Sequence, residues 1–277
     1  LTIFDAPTAD AGPDDTVCAN NPIVSLQGAV TEVSGGRWIP LGGGSFGDPT
    51  LLFTTYTPSA ADILAGTDTV LLTADALAGC AAVTDTLVIT ITAAPTADAN
   101  NDQTVCANNS VVTLAGSVTV ATGGTWSKGG GDGVFLDAND LGTTYTPGSG
   151  DIGAGTVTLT LTTTGNGNCV AVTDFMVVTI DPAPTVDAGL PQTVCANNRD
   201  VSTAGISTLA TSVLWTRTGN GAFLDDTDPT TTYTPSDADT ALGADTLILT
   251  TTGPAGCVSE VDTMFLTIDK APIALAN

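Results

Sequence analysis

Apolar and hydroxyl side chains alternate along much of this chain. Val157, Leu159 and Leu161 interleave with Thr156, Thr158, Thr160 and Thr162. Such an order puts apolar groups on one face of an extended segment and hydroxyls on the other. Val112 and Leu114 alternate in the same way before Gly116, and Val177 and Ile180 belong to a closing strand just ahead of Pro182. Across this stretch the pattern predicts about seven short strands, near residues 103–106, 111–117, 123–127, 133–137, 142–146, 156–163 and 172–180. Turn formers separate them, as in Gly129-Gly-Gly-Asp-Gly133 and Gly165-Asn-Gly-Asn168.

The same pattern returns at a fixed period. Thr-Val-Cys-Ala-Asn-Asn occurs three times, with its cysteine at Cys18, Cys106 and Cys195, spaced 88 and 89 residues. One tryptophan per unit keeps that spacing, at Trp38, Trp126 and Trp215. Tyr-Thr-Pro follows at Tyr56, Tyr145 and Tyr233, second cysteines at Cys80, Cys169 and Cys257, and Ala-Pro junctions at Pro7, Pro95, Pro184 and Pro272. A unit of this size with seven strands and turn signals between them predicts an all-β fold, three tandem immunoglobulin-like β-sandwiches. The expected division is 1–6 as the close of a preceding repeat, repeats over 7–94, 95–183 and 184–271, and 272–277 as the opening of a following one. The chain is therefore expected to be a piece of a longer array. Short Ala-Pro-Thr linkers favour an extended rod, because proline stiffens them.

Composition sharpens the picture. Among 277 residues there are 27 Asp, two Glu, five Lys plus Arg and no His, for a net charge of -24. Mean hydropathy is nevertheless positive, at +0.29, which excludes a disordered acidic tail. Asp favours turns where Glu favours helices, so almost no helix is expected. So acidic a surface repels nucleic acid and anionic lipid, which excludes those partners. No apolar run is long enough to span a bilayer. Leu1-Thr-Ile-Phe-Asp lacks the basic leader and apolar core of a signal peptide, so targeting or anchoring elements are expected outside this segment.

Six periodic cysteines without histidine read as structural disulfides, which implies an oxidising, exported location. Metal binding would need clustered ligands such as Cys-x-x-Cys, and none occurs. Pairing within each repeat is the simplest expectation: Cys18–Cys80, Cys106–Cys169 and Cys195–Cys257. Each bond would close a loop of about 62 residues and contribute about 4 kcal/mol through loop-closure entropy. Stapling between neighbours, for example Cys18 to Cys169, is the competing arrangement, because the two cysteines of one unit can fall at opposite ends of a sandwich.

Catalysis is not expected. There is no imidazole to act as a general base. Asp225 and Asp226 are adjacent and do not face each other across a substrate as a glycosidase pair must. Gly42-Gly-Gly44 lacks the lysine and helix of a phosphate loop. Asp10, Asp14, Asp15, Asp98 and Asp102 gather beside the Ala-Pro junctions and are candidate calcium ligands, since carboxylate oxygens suit that ion and would stiffen a junction. The third repeat keeps only Asp187 there. Trp38, Trp126 and Trp215 are expected in the cores.

Ala-Pro-Thr-Ala-Asp-Ala-Gly-Pro-Asp-Asp-Thr-Val-Cys-Ala-Asn-Asn, with Gly-Thr-Trp-Ser and Thr-Thr-Tyr-Thr-Pro, closely resembles the tandem repeats of giant Bacteroidota cell-surface adhesins of the SprB-like gliding-motility type, and is similar to PKD-like modules. The resemblance implies export by the type IX secretion system, attachment to the outer surface, and a filament that contacts a substratum or surface polysaccharide. It also implies O-glycosylation at Asp-Thr followed by an apolar residue, at Thr16, Thr86 and Thr263. The third repeat departs from the pattern: Leu-Trp-Thr-Arg replaces Gly-Thr-Trp-Ser, and Thr203 stands where Leu26 and Leu114 do. A non-catalytic stalk whose partners are its own neighbouring repeats is the function expected. The competing expectation is a spacer or glycan-binding module of a secreted polysaccharide-degrading enzyme.

Overall fold

The computed structural model describes residues 5–75 and 80–272, so the sequence-matched ends, residues 1–4 and 273–277, lie outside the described part. In the first repeat the elements are β1 (Thr8–Asp10), β2 (Asp15–Cys18), β3 (Val24–Gln27), β4 (Ala29–Thr31), β5 (Gly36–Pro40), β6 (Ser45–Phe46), β7 (Phe53–Thr57), α1 (Ala60–Ala65), β8 (Thr67–Ala74) and β9 (Thr84–Thr92). The other two repeats follow the same order. One sheet runs β2-β9-β8-β5, a second β3-β7-β6, and β1 pairs with β4. β2 lies parallel to β9 while β8 is antiparallel to both β9 and β5. Opening and closing strands thus meet side by side, and the chain is an all-β array of immunoglobulin-like sandwiches.

Alternation decides which face each strand buries. Leu87, Ile89 and Ile91 of β9 point inward against Val70 and Leu72 of β8, and threonines take the outer face. Each repeat has its own cluster, built around Trp38 and Tyr56, Trp126 and Tyr145, and Trp215 and Tyr233. The tryptophans are core residues as expected: their indole Nε1 groups donate to the carbonyls of Leu52, Leu141 and Pro229 at 3.4, 3.3 and 3.2 Å. Buried indole N–H groups need such partners.

Two local features depart from the sequence expectation. The predicted strand at 111–117 is two strands, Val112–Thr113 in one sheet and Ser117–Thr119 paired with Thr96–Asp98. The break falls at Gly116, where a Cβ would lie 2.8 Å from both Leu161 Cδ2 and Trp126 Cζ2. Only glycine lets the backbone pass this close to the indole. Each repeat also carries a six-residue helix that was not expected. Ser59 and Asp62 form a reciprocal capping box at its start, and Gly66 ends it with φ 76°. The signals are those of a helix terminus, but six residues are too few to show a helical stripe.

The second repeat starts its helix differently. Gly148 stands where Ser59 and Ser236 provide hydroxyls. Asp132, from the preceding loop, accepts instead from the Gly150 N–H at 2.8 Å and the Asp151 N–H at 3.1 Å. A Cβ on residue 148 would meet Asp132 Oδ2 at 2.7 Å. The carboxylate and the glycine are therefore a matched pair.

Candidate functional site

The junctions between repeats hold the chemistry that recurs. β2 ends at Cys18, beside Thr92 at the end of β9, so the first cysteine of a repeat sits at its C-terminal end. The second cysteine lies in the loop after the long β8-type strand, at the N-terminal end. Cys18 joins Cys169 of the next repeat, with Cα atoms 5.0 Å apart, and Cys106 joins Cys257 at 4.9 Å. The expected pairs Cys18–Cys80, Cys106–Cys169 and Cys195–Cys257 are thus wrong. A repeat's two cysteines are at opposite ends of one sandwich, and only neighbours bring them within the reach of a disulfide. Cys80 and Cys195 are unpaired.

The turn Cys-Ala-Asn-Asn prepares the junction. Ala19 N–H donates to the Thr92 carbonyl at 2.8 Å, and Asn21 N–H to the Cys18 carbonyl at 2.9 Å. These bonds aim Asn20 at the next repeat. Its Nδ2 donates to the Val170 carbonyl at 2.9 Å while its Oδ1 accepts from the Val170 N–H at 3.1 Å. The side-chain amide thereby pairs with backbone as a neighbouring strand would. Asn168 answers from the other side, donating to the Thr16 carbonyl at 2.8 Å.

The second junction repeats the device. Asn108 pairs with Val258 at 2.9 and 3.1 Å and also donates to Glu260 Oε1 at 2.7 Å. Asn109 reaches the Gly256 carbonyl at 3.0 Å. Thr-Val-Cys-Ala-Asn-Asn was legible as a repeat marker, but the role of its asparagines was missed, because their partners lie 150 residues away.

A second polar cluster is internal. Tyr56 donates to Asp68 at 2.5 Å, Tyr145 to Asp151 at 2.6 Å, and Tyr233 to Asp245. Burial, followed by the hydrogen bond to the carboxylate and its charge, pushes each phenol well above its usual range. In the second repeat Val157 replaces the acid of Asp68 and Asp245, so Tyr145 turns to the helix carboxylate. Burial raises Asp151, but hydrogen bonds from Tyr145 and from the Gly148, Gly133 and Asp132 N–H groups outweigh it and hold the group below the ordinary carboxylate range. These acids anchor the fold.

The calcium candidates are engaged by backbone N–H groups, Asp10, Asp15 and Asp98 locally and Asp14 and Asp102 by the closing strand. Asp10 accepts from the Gly12 N–H, Asp98 from Asn100, Asp14 from Val88, Asp102 from Val177 and Asp15 from Thr16. Asp14 and Asp15 line a surface cleft of about 230 Å³. In the other repeats Gln103 and Gln192 stand in place of Asp15 and reach across to the Thr113 and Ser202 carbonyls. Among the described residues no group of three or more acids, cysteines or histidines is arranged to hold a metal.

The remaining candidates have structural explanations. Asp225 binds Thr227 in a turn, and Asp62 accepts the Gly43 N–H of the glycine run. Thr203 is buried and donates to the Pro229 and Thr231 carbonyls at 2.9 and 3.0 Å, which replaces the packing of leucine by satisfied polar contacts. Thr16, Thr86 and Thr263 are exposed. The acids of their motifs have other work: Asp85 and Asp262 accept the Ala11 and Ala188 N–H groups at 2.8 and 2.7 Å.

No protein-family model matches the chain, and no curated protein sequence matches it. Among solved structures it is similar to the titin I-band fragment I67–I69, at 11% identity and TM-score 0.48, with 98% of this chain and 100% of that one covered. It is also similar to immunoglobulin domains 1–5 of Sidekick-1, at 13% identity and TM-score 0.35, covering 96% and 60%. Mouse cadherin-23 EC22–24 gives 13% identity and TM-score 0.35, covering 97% and 100%. These are likenesses of fold. No helix among the described residues is long and apolar enough to cross a membrane.

Proposed function

We propose that this chain is a disulfide-stapled stalk segment of an exported cell-surface adhesin or filament. The observation that carries it is the double attachment at each junction. The peptide linker and a disulfide fix neighbouring sandwiches at two places, and an asparagine amide closes the interface between them. A hinge needs one flexible connection; two connections set a direction. A rod that keeps its reach needs this arrangement, whereas a catalytic module has no use for it. The disulfides fit an oxidising, extracellular setting. Gliding motility and type IX export are the finer form of the proposal, supported by the sequence resemblance alone.

Immunogold labelling of intact source cells with antibodies to this segment tests the stalk. Thread-like filaments carrying label are the expected result. Label that follows a soluble hydrolase into the medium would overturn it and favour the spacer of a polysaccharide-degrading enzyme.

Two additions belong to the same proposal. Calcium would enter at the opening turns, where Asp10, Asp14, Asp15, Asp98 and Asp102 each keep one carboxylate oxygen outside the hydrogen bonds above; a Tm unmoved by calcium chloride removes it. Sugars would sit on Thr16, Thr86 and Thr263, and an intact mass equal to the bare polypeptide removes them.

A further inference from the structure

Two thiols remain at the two ends of the described array, and they are opposite halves of one junction. Cys195 ends its strand beside Asp269, as Cys18 does beside Thr92 and Cys106 beside Asp181. Its turn is already formed: Ala196 N–H donates to the Asp269 carbonyl at 2.8 Å and Asn198 N–H to the Cys195 carbonyl at 2.9 Å. What differs is cover. Cys18 and Cys106 are 0% and 1% exposed, whereas Cys195 is exposed. Asn197 corresponds to Asn20 and Asn108 and stands at the same place after its cysteine. The strand end and the Cys-Ala-Asn-Asn turn at the end of the third repeat match those of the two occupied junctions.

The other half is at the N-terminal end of the first repeat. Cys80 occupies the loop position of Cys169 and Cys257, and Ala81 follows it as Val170 and Val258 follow theirs. From the following residue the asparagine clamp uses the backbone N–H and C=O and not the side chain, so alanine serves as well as valine.

We infer that the Cys195 face is a preformed socket for the second cysteine of a further repeat of this same type, and that Cys80 with Ala81 supplies the matching plug. The junction is a directional, covalent coupling rule: the first cysteine of any repeat joins the second cysteine of the repeat after it. Asn197 seats the incoming loop before the bond forms. The two thiols then lose two protons and two electrons to a low-molecular-weight disulfide such as oxidised glutathione, which leaves as two thiols, and one S–S bond links the units. The inference deepens the stalk proposal and rests on it only for the array being continued. Thiol pairing and surface labelling are separate readouts, so either can fail alone.

The test is a doubled chain, residues 1–272 followed in phase by residues 8–277, refolded in a glutathione redox buffer and alkylated without reduction. Cleavage at aspartate and mass mapping then read the pairs. The expected result is a peptide joining the internal Cys195 to Cys80 of the second copy, with alkylated thiols only at the outermost Cys80 and Cys195. Asn197→Ala in the first copy slows formation of that link while leaving the other disulfides intact. Alkylation of both internal thiols, or pairing of Cys80 with another partner, overturns the rule. Should the doubled chain not fold, the 277-residue chain in the same buffer supplies the second measurement. Intermolecular Cys195–Cys80 links in excess of the share random pairing gives support the rule, and a random mixture with homotypic links overturns it.

Discussion

Asn20 and Val170 lie 150 residues apart in sequence and pair like adjacent strands, side-chain amide to backbone amide. Asn108 and Val258 do the same at the next junction. Replacing Asn108 with Asp keeps the acceptor for the Val258 N–H but removes the donor to the Val258 carbonyl and brings a charge against Glu260. Such a loss is worth about 1 kcal/mol per hydrogen bond, more where a charge is left badly paired. Faster amide exchange at Val258, with the repeat cores unchanged, is the expected readout.

Non-reducing peptide maps of the isolated monomer should contain Cys18–Cys169 and Cys106–Cys257 peptides, with Cys80 and Cys195 alkylated. Cys169→Ser then frees the first junction. By loop-closure entropy for a separation of 151 residues the bond contributes about 5 kcal/mol when both repeats unfold together. X-ray scattering should show a broader range of end-to-end distances in this variant.

Gly116→Ala should be among the most damaging single substitutions. The added methyl meets Leu161 and Trp126 inside their contact distance, and overpacking of this kind costs about 1–3 kcal/mol. Thermal unfolding of the second repeat should fall accordingly, whereas alanine at the open Gly153 should leave it in place.

The helix start of the second repeat can be tested by exchange. Gly148→Ser alone sets a side chain against Asp132 and should destabilise. Joined to Asp132→Gly, as the corresponding Gly43 stands in the first repeat, it should restore the hydroxyl cap and most of the stability. A cap of this kind is worth about 1 kcal/mol, and a double-mutant cycle in urea measures the coupling.

Stability should fall at both extremes of pH. Asp151 and Asp239 have carboxyls lowered by hydrogen bonds that outweigh the burial opposing them. Their contribution is therefore present above the ordinary carboxylate range and is lost as pH drops through their lowered folded-state values, below about pH 4. Tyr56, Tyr145 and Tyr233 are raised by burial and by their carboxylate partners. Their contribution holds up to the pKa of an unfolded phenol, about 10, and declines as pH rises beyond it. Tyr145→Phe should flatten the alkaline limb of the second repeat's Tm against pH.

The turn acids show what spacing along the chain leaves out. Asp10 and Asp98 were legible as a pair of acids near Ala-Pro junctions, but not that each accepts a hydrogen bond from the residue two positions on. Asp68 and Asp245 precede threonines in alternating strands, and both acids are buried under tyrosines. Short polar motifs do not reveal which face of a strand they take when an acid is satisfied from inside.

The alternation of Val, Leu and Ile with Thr determined the strands and their buried faces, because side chains on a pleat must alternate. The fixed spacing of cysteine, tryptophan and tyrosine determined the number of units. Tertiary structure alone decided the disulfides, for a reason of geometry. Placing β2 parallel to β9 carries the first cysteine to one end of its sandwich, and the hairpin loop carries the second to the other. The nearest sulfur is then in the adjoining repeat, and distance along the chain gives no hint of it.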